Sequence, residues 1–311
     1  THKTINKHST MKVPVFECML ADDSKKHEKK MTGEVYVEPK LDGVRVITIC
    51  DVDKDEVKMF SRNGKELNNF PKILEQFDSM LDQMAESMVF DGEVMSDDFQ
   101  TLMREIHRKG GAKTDDAVLN LFDCIPLWAF KEGGYSASLQ TRKEMMDEYE
   151  FGPNISKVEF VRMNLDEDDG QKQFADYNKL CIDKGFEGIM VKPMSGPYEC
   201  KRSSLWLKVK PFIEVSLKVI DVEEGTGRNI GKLGALIVEG NDMDKFIKTN
   251  VGSGLTDSDR ESFWQAKDKL IGQIVEIRAD AITQNQDSKD EWSLRFPRFL
   301  RFRGFEIGEK L

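Results

Sequence analysis

Short runs rich in β-branched residues recur at 35–37, 44–50, 57–60 and 88–90, separated by acidic or glycine-containing turns such as 51–56. Runs of this length bounded by turn residues predict an antiparallel sheet region. Between them the period changes. Ile73, Phe77, Met80, Leu81 and Met84 recur at helical spacing behind Pro71, a residue that a first helical turn tolerates, so 71–84 is expected to pack on the sheet as a helix. Two more amphipathic helices are expected. One covers 139–149, with Met145, Met146 and Tyr149 as its apolar side; the other covers 170–184, with Phe174, Tyr177, Leu180 and Cys181 facing a core.

After Pro211 the texture becomes that of short strands spaced by glycines, at 215–222, 233–239, 246–251, 274–279 and 299–305. Five such strands in about a hundred residues fit a small β-barrel of the OB type, with a helical insert at 257–269 between the third and fourth. The expected architecture is therefore α+β: an antiparallel-sheet domain over 1–211, then a barrel over 212–311.

Composition narrows the function classes. The 311 residues are 39% hydrophobic, enough for two cores, and 33% charged. With 46 basic against 56 acidic side chains the net charge is −10, so any nucleic-acid contact must come from local patches. No apolar run approaches the roughly 18 to 20 residues of a membrane helix, and 1–12 is polar and basic, which excludes a membrane or secretory reading. A cytoplasmic location is expected. Cys18, Cys50, Cys124, Cys181 and Cys200 are dispersed and only four histidines accompany them, against both a zinc site and a disulfide framework.

The sharpest local feature is Glu38-Pro39-Lys40-Leu41-Asp42-Gly43-Val44-Arg45, which alone reads equally as a charged hairpin. Its company changes the weighing. Downstream come Ser61-Arg62-Asn63-Gly64, Phe90-Asp91-Gly92-Glu93, Leu121-Phe122-Asp123, Glu187-Gly188-Ile189-Met190-Val191-Lys192 and Trp206-Leu207-Lys208-Val209-Lys210, and finally the arginine- and phenylalanine-rich run from Ser293 to Arg303. In this order the motifs resemble the covalent nucleotidyltransferase superfamily, and specifically the ATP-dependent DNA ligases, over nearly the whole chain from Met19 onward. The resemblance implies a nucleotidyltransferase (ATP-grasp-like) domain followed by an OB-fold barrel.

Elementary chemistry supports the set. A lysine attacks an α-phosphate only as a free amine, and with an ordinary pKa of about 10.4 roughly one in a thousand is free near pH 7.5. Neighbouring cations and desolvation must favour the amine, and Lys208, Lys210, Arg62 and a bound metal are the charges on offer for Lys40. Lys208 and Lys210, two apart on a strand, point to one side and suit a phosphate clamp, although a solvated strand face has the same spacing. A triphosphate also calls for Mg²⁺, which takes one or two carboxylates, with Glu187 and Glu93 as candidates.

Further roles come from the resemblance. It makes Glu187 metal-associated, Glu93 a holder of the ribose and a metal water, and Asp42 an assistant in final sealing. Phe122 stacks on adenine, the backbone at Glu38 reads the adenine edge, so that its side chain matters less than its geometry, and Lys192 joins the cofactor-binding set. Arg45 and Arg62 lie around the ribose and the nick ends, where arginine suits bidentate phosphate recognition. Arg295 and Arg298 are the candidates for closing over the ATP pyrophosphate. The sequence departs from many relatives where Gly304-Phe305 replaces an Asp-Lys pair.

The implied reaction has three steps: Lys40 takes AMP from ATP, AMP passes to a nick 5′-phosphate, and the 3′-hydroxyl displaces it. The implied partner is nicked double-stranded DNA, met by a monomer whose barrel swings about a hinge near Pro211. The two-domain plan resembles compact phage or viral ligases, since 1–23 is short for a large amino-terminal DNA-binding domain. Rival readings are an mRNA capping guanylyltransferase, an RNA ligase, and a non-catalytic OB-type nucleic-acid binding protein. The glycine-rich 225–232 segment matches no phosphate-loop spacing and is expected as a barrel hairpin, with Arg228 and Lys232 placed to touch DNA. His107 has no partner at metal-ligand spacing.

Overall fold

The computed structural model describes residues 17–95, 116–287 and 290–304. The opening 1–12 stretch, His107 and Phe305 lie outside the described residues. The chain divides into two compact units, Thr1–Val209 and Lys210–Leu311.

In the first unit the strands are β1 (Leu20–Asp23), β2 (Glu34–Pro39), β3 (Val44–Asp51), β4 (Glu56–Phe60), β5 (Met88–Met95), β6 (Val118–Pro126), β7 (Gly134–Tyr135), β8 (Ile155–Lys157), β9 (Val161–Asn164), β10 (Ile189–Pro193), β11 (Tyr198–Glu199) and β12 (Arg202–Val209). The helices are α1 (Pro71–Asp78), α2 (Leu127–Glu132), α3 (Leu139–Asp147) and α4 (Asp168–Asp183). One sheet runs β1-β12-β10-β2-β9 and the other β4-β3-β5-β6-β8, each antiparallel except for one parallel edge pair. The short β7–β11 pair stands apart from both.

Alternation along the strands sorts three cores. Val35, Val37, Ile189, Val191 and Leu207 face outward from the first sheet onto Tyr177 and Cys181 of α4. Val46, Cys50, Phe90, Val94 and Leu119 face outward from the second onto Ile73 and Phe77 of α1 and Met146 of α3. The positions between them turn inward, where Ile47, Val89, Phe122 and Trp206 form a third cluster together with Tyr198 of β11. The helix expected over 71–84 ends at Asp78, and Met80, Leu81 and Met84 lie beyond it, yet all the expected apolar positions from Ile73 to Met84 are buried. Leu180 departs from expectation. It is 47% exposed, because α4 needs only the stripe of Phe174, Tyr177 and Cys181 to cover its sheet.

The second unit contains β13 (Ile213–Glu224), β14 (Leu233–Asp242), β15 (Lys245–Val251), β16 (Ile274–Ala279), β17 (Ala281–Gln284), β18 (Trp292–Arg295) and β19 (Arg298–Gly304), with α5 (Asp257–Gln265) and α6 (Lys267–Leu270). The sheet order is β17-β18-β15-β14-β13-β16-β19. A bridge from Ser253 to Arg298 brings the last strand back to the chain leaving β15, closing the sheet around Val215, Leu217, Val238, Ile247 and Ile277. All five expected strands are present and the insert falls between the third and fourth, broken at Ala266 into α5 and α6. The β17–β18 pairing was not legible in the sequence. The 293–303 run is split between β18 and β19, because Phe296 takes a left-handed backbone (φ 50°) just before Pro297.

Candidate active site

The inward face of the first unit holds a cleft of about 160 Å³. Alternation delivers its walls: Glu38, Met190, Lys192, Trp206 and Lys208 from one sheet, Arg45, Glu93 and Phe122 from the other. Lys40 and Arg62 also line it.

Lys40 stands just past β2, its backbone N–H donating to Gly188 O at 2.9 Å. Its ammonium donates to Glu187 Oε2 at 3.1 Å, with both side chains about one-fifth exposed (19% and 21%). Gly188 carries a φ of 149°, a conformation open to glycine and strained for other residues. Gly43 is required for a different reason: a Cβ there would meet Val94 O at 2.4 Å. Its N–H donates to Glu93 Oε2 at 3.0 Å, so the turn after Lys40 is tied to a carboxylate of the opposite strand. Burial pushes the Glu93 carboxyl up, opposed by Lys40, Arg45 and that N–H. Asp42 is exposed on the same turn.

Glu38 is buried. Lys143 of α3 donates to its Oε1 at 2.9 Å, and Lys192 lies 3.0 Å from its Oε2. Lys192 is aligned on Oε1 (3.2 Å) rather than Oε2, so Oε2 is a buried acceptor without an aligned donor. Burial opposes the Glu38 charge, but the two lysines outweigh it and hold the carboxyl below its ordinary range. Lys192 lies 4.3 Å from the centroid of the Phe122 ring and 4.1 Å from that of Trp206, and burial pulls its ammonium down against the attraction of Glu38.

Phe122 owes its place to a bulge. Asp91 pairs with Asp123 and Gly92 with Leu121, leaving Phe122 as the extra residue that turns its ring inward. Arg45, expected around the ribose and nick ends, lines the cleft with its guanidinium already held, Nε on Asp91 Oδ1 at 2.5 Å and Nη2 on Oδ2 at 2.6 Å. Tyr198 donates to the same carboxylate at 2.6 Å. Sequence reasoning missed Asp91, Trp206, Tyr198 and Lys143 as site residues. The signal for Asp91 and Trp206 lay inside motifs already singled out, while Lys143 and Tyr198 carry none.

Not every expected residue gathers there. Lys208 lines the cleft, whereas Lys210 begins the second unit, 3.3 Å from Glu214, which also accepts from Arg278 at 2.9 Å. Burial raises the Glu214 pKa, but Lys210 and Arg278 outweigh it and bring it from 4.5 to about 2. A folded-state pKa below the unfolded one contributes stability above the unfolded value and loses it as pH falls through the folded value. Stabilisation of the second unit by Glu214 is thus expected to fade between pH 4.5 and about 2. Glu214→Gln should weaken hydrogen-exchange protection of β13 at pH 7 and leave it near the parent's at pH 2. Equal protection at pH 7 would refute this.

Arg295 is exposed beside Phe296, and Arg298 pairs with Asp280 at 3.1 Å. Arg301 and Arg303 share the buried Glu276. In the glycine-rich hairpin, Lys232 reaches Glu261 at 3.2 Å and Arg228 lies 4.0 Å from Asp257. Among the described residues no helix is long and apolar enough to cross a membrane, and no three His, Cys, Asp or Glu side chains gather as a metal cage.

Residues 18–210 match the family model of the ATP dependent DNA ligase domain, and 224–303 match a DNA ligase OB-like domain. The chain belongs to the ATP-dependent DNA ligase family. A DNA ligase of Haloarcula marismortui is 31% identical over 294 residues, covering 86% of this chain and 51% of its own length. One of Nitrosopumilus maritimus is 26% identical, covering 88% and 48%. The chain thus spans about half the length of the curated ligases it matches. Among solved structures, "Pmar-Lig_Pre." is 46% identical, with TM-score 0.65 over 98% of this chain and 72% of that one. Mycobacterial DNA ligase D complexed with ATP and MES shares the fold at 16% identity, with TM-score 0.53 over 94% and 97%. The ligase family thus accounts for both units, a nucleotidyltransferase domain and an OB-like barrel.

Proposed function

We propose that this chain is an ATP-dependent DNA ligase that seals 5′-phosphate/3′-hydroxyl nicks in duplex DNA, with 1–211 as its adenylation domain and 212–311 as its barrel. The observation that carries the reading is Lys40, held between two carboxylate-bearing segments at the edge of a cleft that offers an aromatic ring and a buried acceptor.

The Phe122 ring offers a stacking face for a purine. The Glu38 carboxylate, an acceptor in the same wall, suits the 6-amino group of adenine and would oppose the carbonyl that guanine presents there. Lys40 Nζ attacks the α-phosphorus: an N–P bond forms, the α–β bridging P–O bond breaks, and pyrophosphate leaves. An oxygen of the nick 5′-phosphate then attacks the same phosphorus and the amine of Lys40 departs. Finally the 3′-hydroxyl oxygen attacks the 5′-phosphorus, closing the backbone and releasing AMP. Lys208, Arg62 and Arg45 supply positive charge along the cleft wall, and Asp42 on the exposed turn assists the sealing step. The second unit brings Lys210, Arg295 and Arg298, the arginines serving the pyrophosphate.

The donor set fits Mg²⁺, because Glu93 and Glu187 are two carboxylates beside Lys40 and this ion takes its remaining oxygens from water and phosphate. Bound there, it would neutralise phosphate charge as pyrophosphate departs.

Incubation with α-labelled ATP or GTP, followed by a nicked duplex, tests the reading. A labelled adduct from ATP and a sealed nick are expected; an adduct from GTP alone would sink it. If about four side chains displace phosphate counterions, binding to nicked DNA should weaken about a hundredfold from 50 to 200 mM salt, with a logarithmic slope near −4. A salt-independent affinity would argue against backbone recognition.

A further inference from the structure

Helix α3 carries a lysine that no motif marks and that reaches two residues of the cleft wall, Glu38 and Phe122. We propose that Lys143 is a positioning residue for base recognition: it donates at once to Glu38 on one sheet and to the Phe122 carbonyl on the other, fixing the acceptor that reads the base edge relative to the ring that stacks on it. The inference rests on the nucleotide-binding reading above.

Lys143 is 3% exposed, with Nζ 2.9 Å from Glu38 Oε1 and 3.0 Å from Phe122 O. Glu38 lies on β2 and Phe122 on β6, strands of different sheets that share no ladder. Their relative placement therefore depends on what crosses the gap. The bulge removes Phe122 from the regular pairing register, and Lys143 donates to its carbonyl. An ammonium has three donors, and beside the two oxygens the Phe160 ring lies with its centroid 4.7 Å from Nζ. The helix itself is anchored one residue earlier. Arg142 donates to Asp123, to Ala137 O and to Gly196 O, so the backbone that carries Lys143 has little freedom.

A second consequence is electrostatic. An ionised carboxylate only accepts hydrogen bonds, whereas a protonated one also donates. Burial favours the neutral acid at Glu38, and Lys143 is the first of the two charges that oppose it. Without that ammonium Glu38 is left to Lys192, which burial also disfavours as a cation. The acid then tolerates a carbonyl at the base edge as well as an amine, and discrimination falls.

The test compares nucleotide adduct formation from ATP and from inosine triphosphate, whose base has a carbonyl where adenine has its amine. For Lys143→Met, half-saturation by ATP should rise about tenfold or more and the ATP preference should shrink by a similar factor, the size expected from losing a charged hydrogen bond. The rate at saturating ATP should change far less, and Lys143→Arg should restore most of the preference. A folded methionine variant with the parent's ATP preference overturns the proposal, because a side chain that merely fills space would leave the ratio untouched. Should that variant not fold, Lys143→Gln keeps a donor for the Phe122 carbonyl without the charge and is read by the same ratio. Failure of the parent chain to form any adduct from ATP overturns the underlying reading instead, and is visible before any variant is made.

Discussion

Lys40→Ala is expected to abolish the labelled adduct formed with ATP and to cut sealing of a nicked duplex by about 10⁴-fold or more, the scale seen when a covalent nucleophile is removed. The cleft also holds a buried lysine, and it is a poor substitute. Lys192 is bound to Glu38 and packs against both the Phe122 and Trp206 rings, so its ammonium is tied deep in the base-binding wall. Lys40 instead stands beside Glu187 and partly open to solvent, where a triphosphate can reach it. The alanine variant should still close a nick whose 5′ end already carries AMP, at a sizeable fraction of the parent rate, because the amine has finished its work before that step. Persistence of the adduct in Lys40→Ala would place the nucleophile elsewhere. Loss of sealing on the pre-adenylylated nick would show that the amine is needed in the last step too.

Strand alternation explains why so much of this cleft was readable from sequence. Once Val35 and Val37 face a helix, Glu38 must face inward, and the same parity sends Lys192 and Lys208 to the cleft. Parity fails where a strand bulges. Leu119 and Leu121 pack outward, but so does Cys124, three residues on, because Phe122 is extra. The same device misleads at the end of the chain, where register shifts in β19 let Phe299 and Phe302, three apart, both contact Phe263. Strict alternation of arginine and phenylalanine would not permit that. Charged residues on helices hide better still. Arg142 and Lys143 look like the solvated side of α3, and only the distant partners Asp123 and Glu38 make their burial tolerable. No local pattern encodes a pairing between residues 105 apart, as Lys143 and Glu38 are.

That dependence on a distant partner gives the largest expected effect on stability. Asp123 and Arg142 are both 0% exposed and joined by two hydrogen bonds, at 2.8 and 3.0 Å. Asp123→Ala would leave a guanidinium buried with only the neutral carbonyls of Ala137 and Gly196 as acceptors. Breaking a buried pair from one side costs about 3–5 kcal/mol, which for a unit of this size lowers the melting temperature by roughly 10 °C. Arg142→Met should be comparably harmful, since it strands the carboxylate and both carbonyls. The double variant Asp123→Leu/Arg142→Met buries no charge and should melt well above the sum of the two single losses. Additive losses in that cycle, or a melting temperature for Asp123→Ala within about 1 °C of the parent's, would mean that the pair does not hold α3 in place. If it does, Asp123→Ala should also weaken ATP binding below its melting temperature, because the helix that Arg142 anchors carries Lys143 to the base.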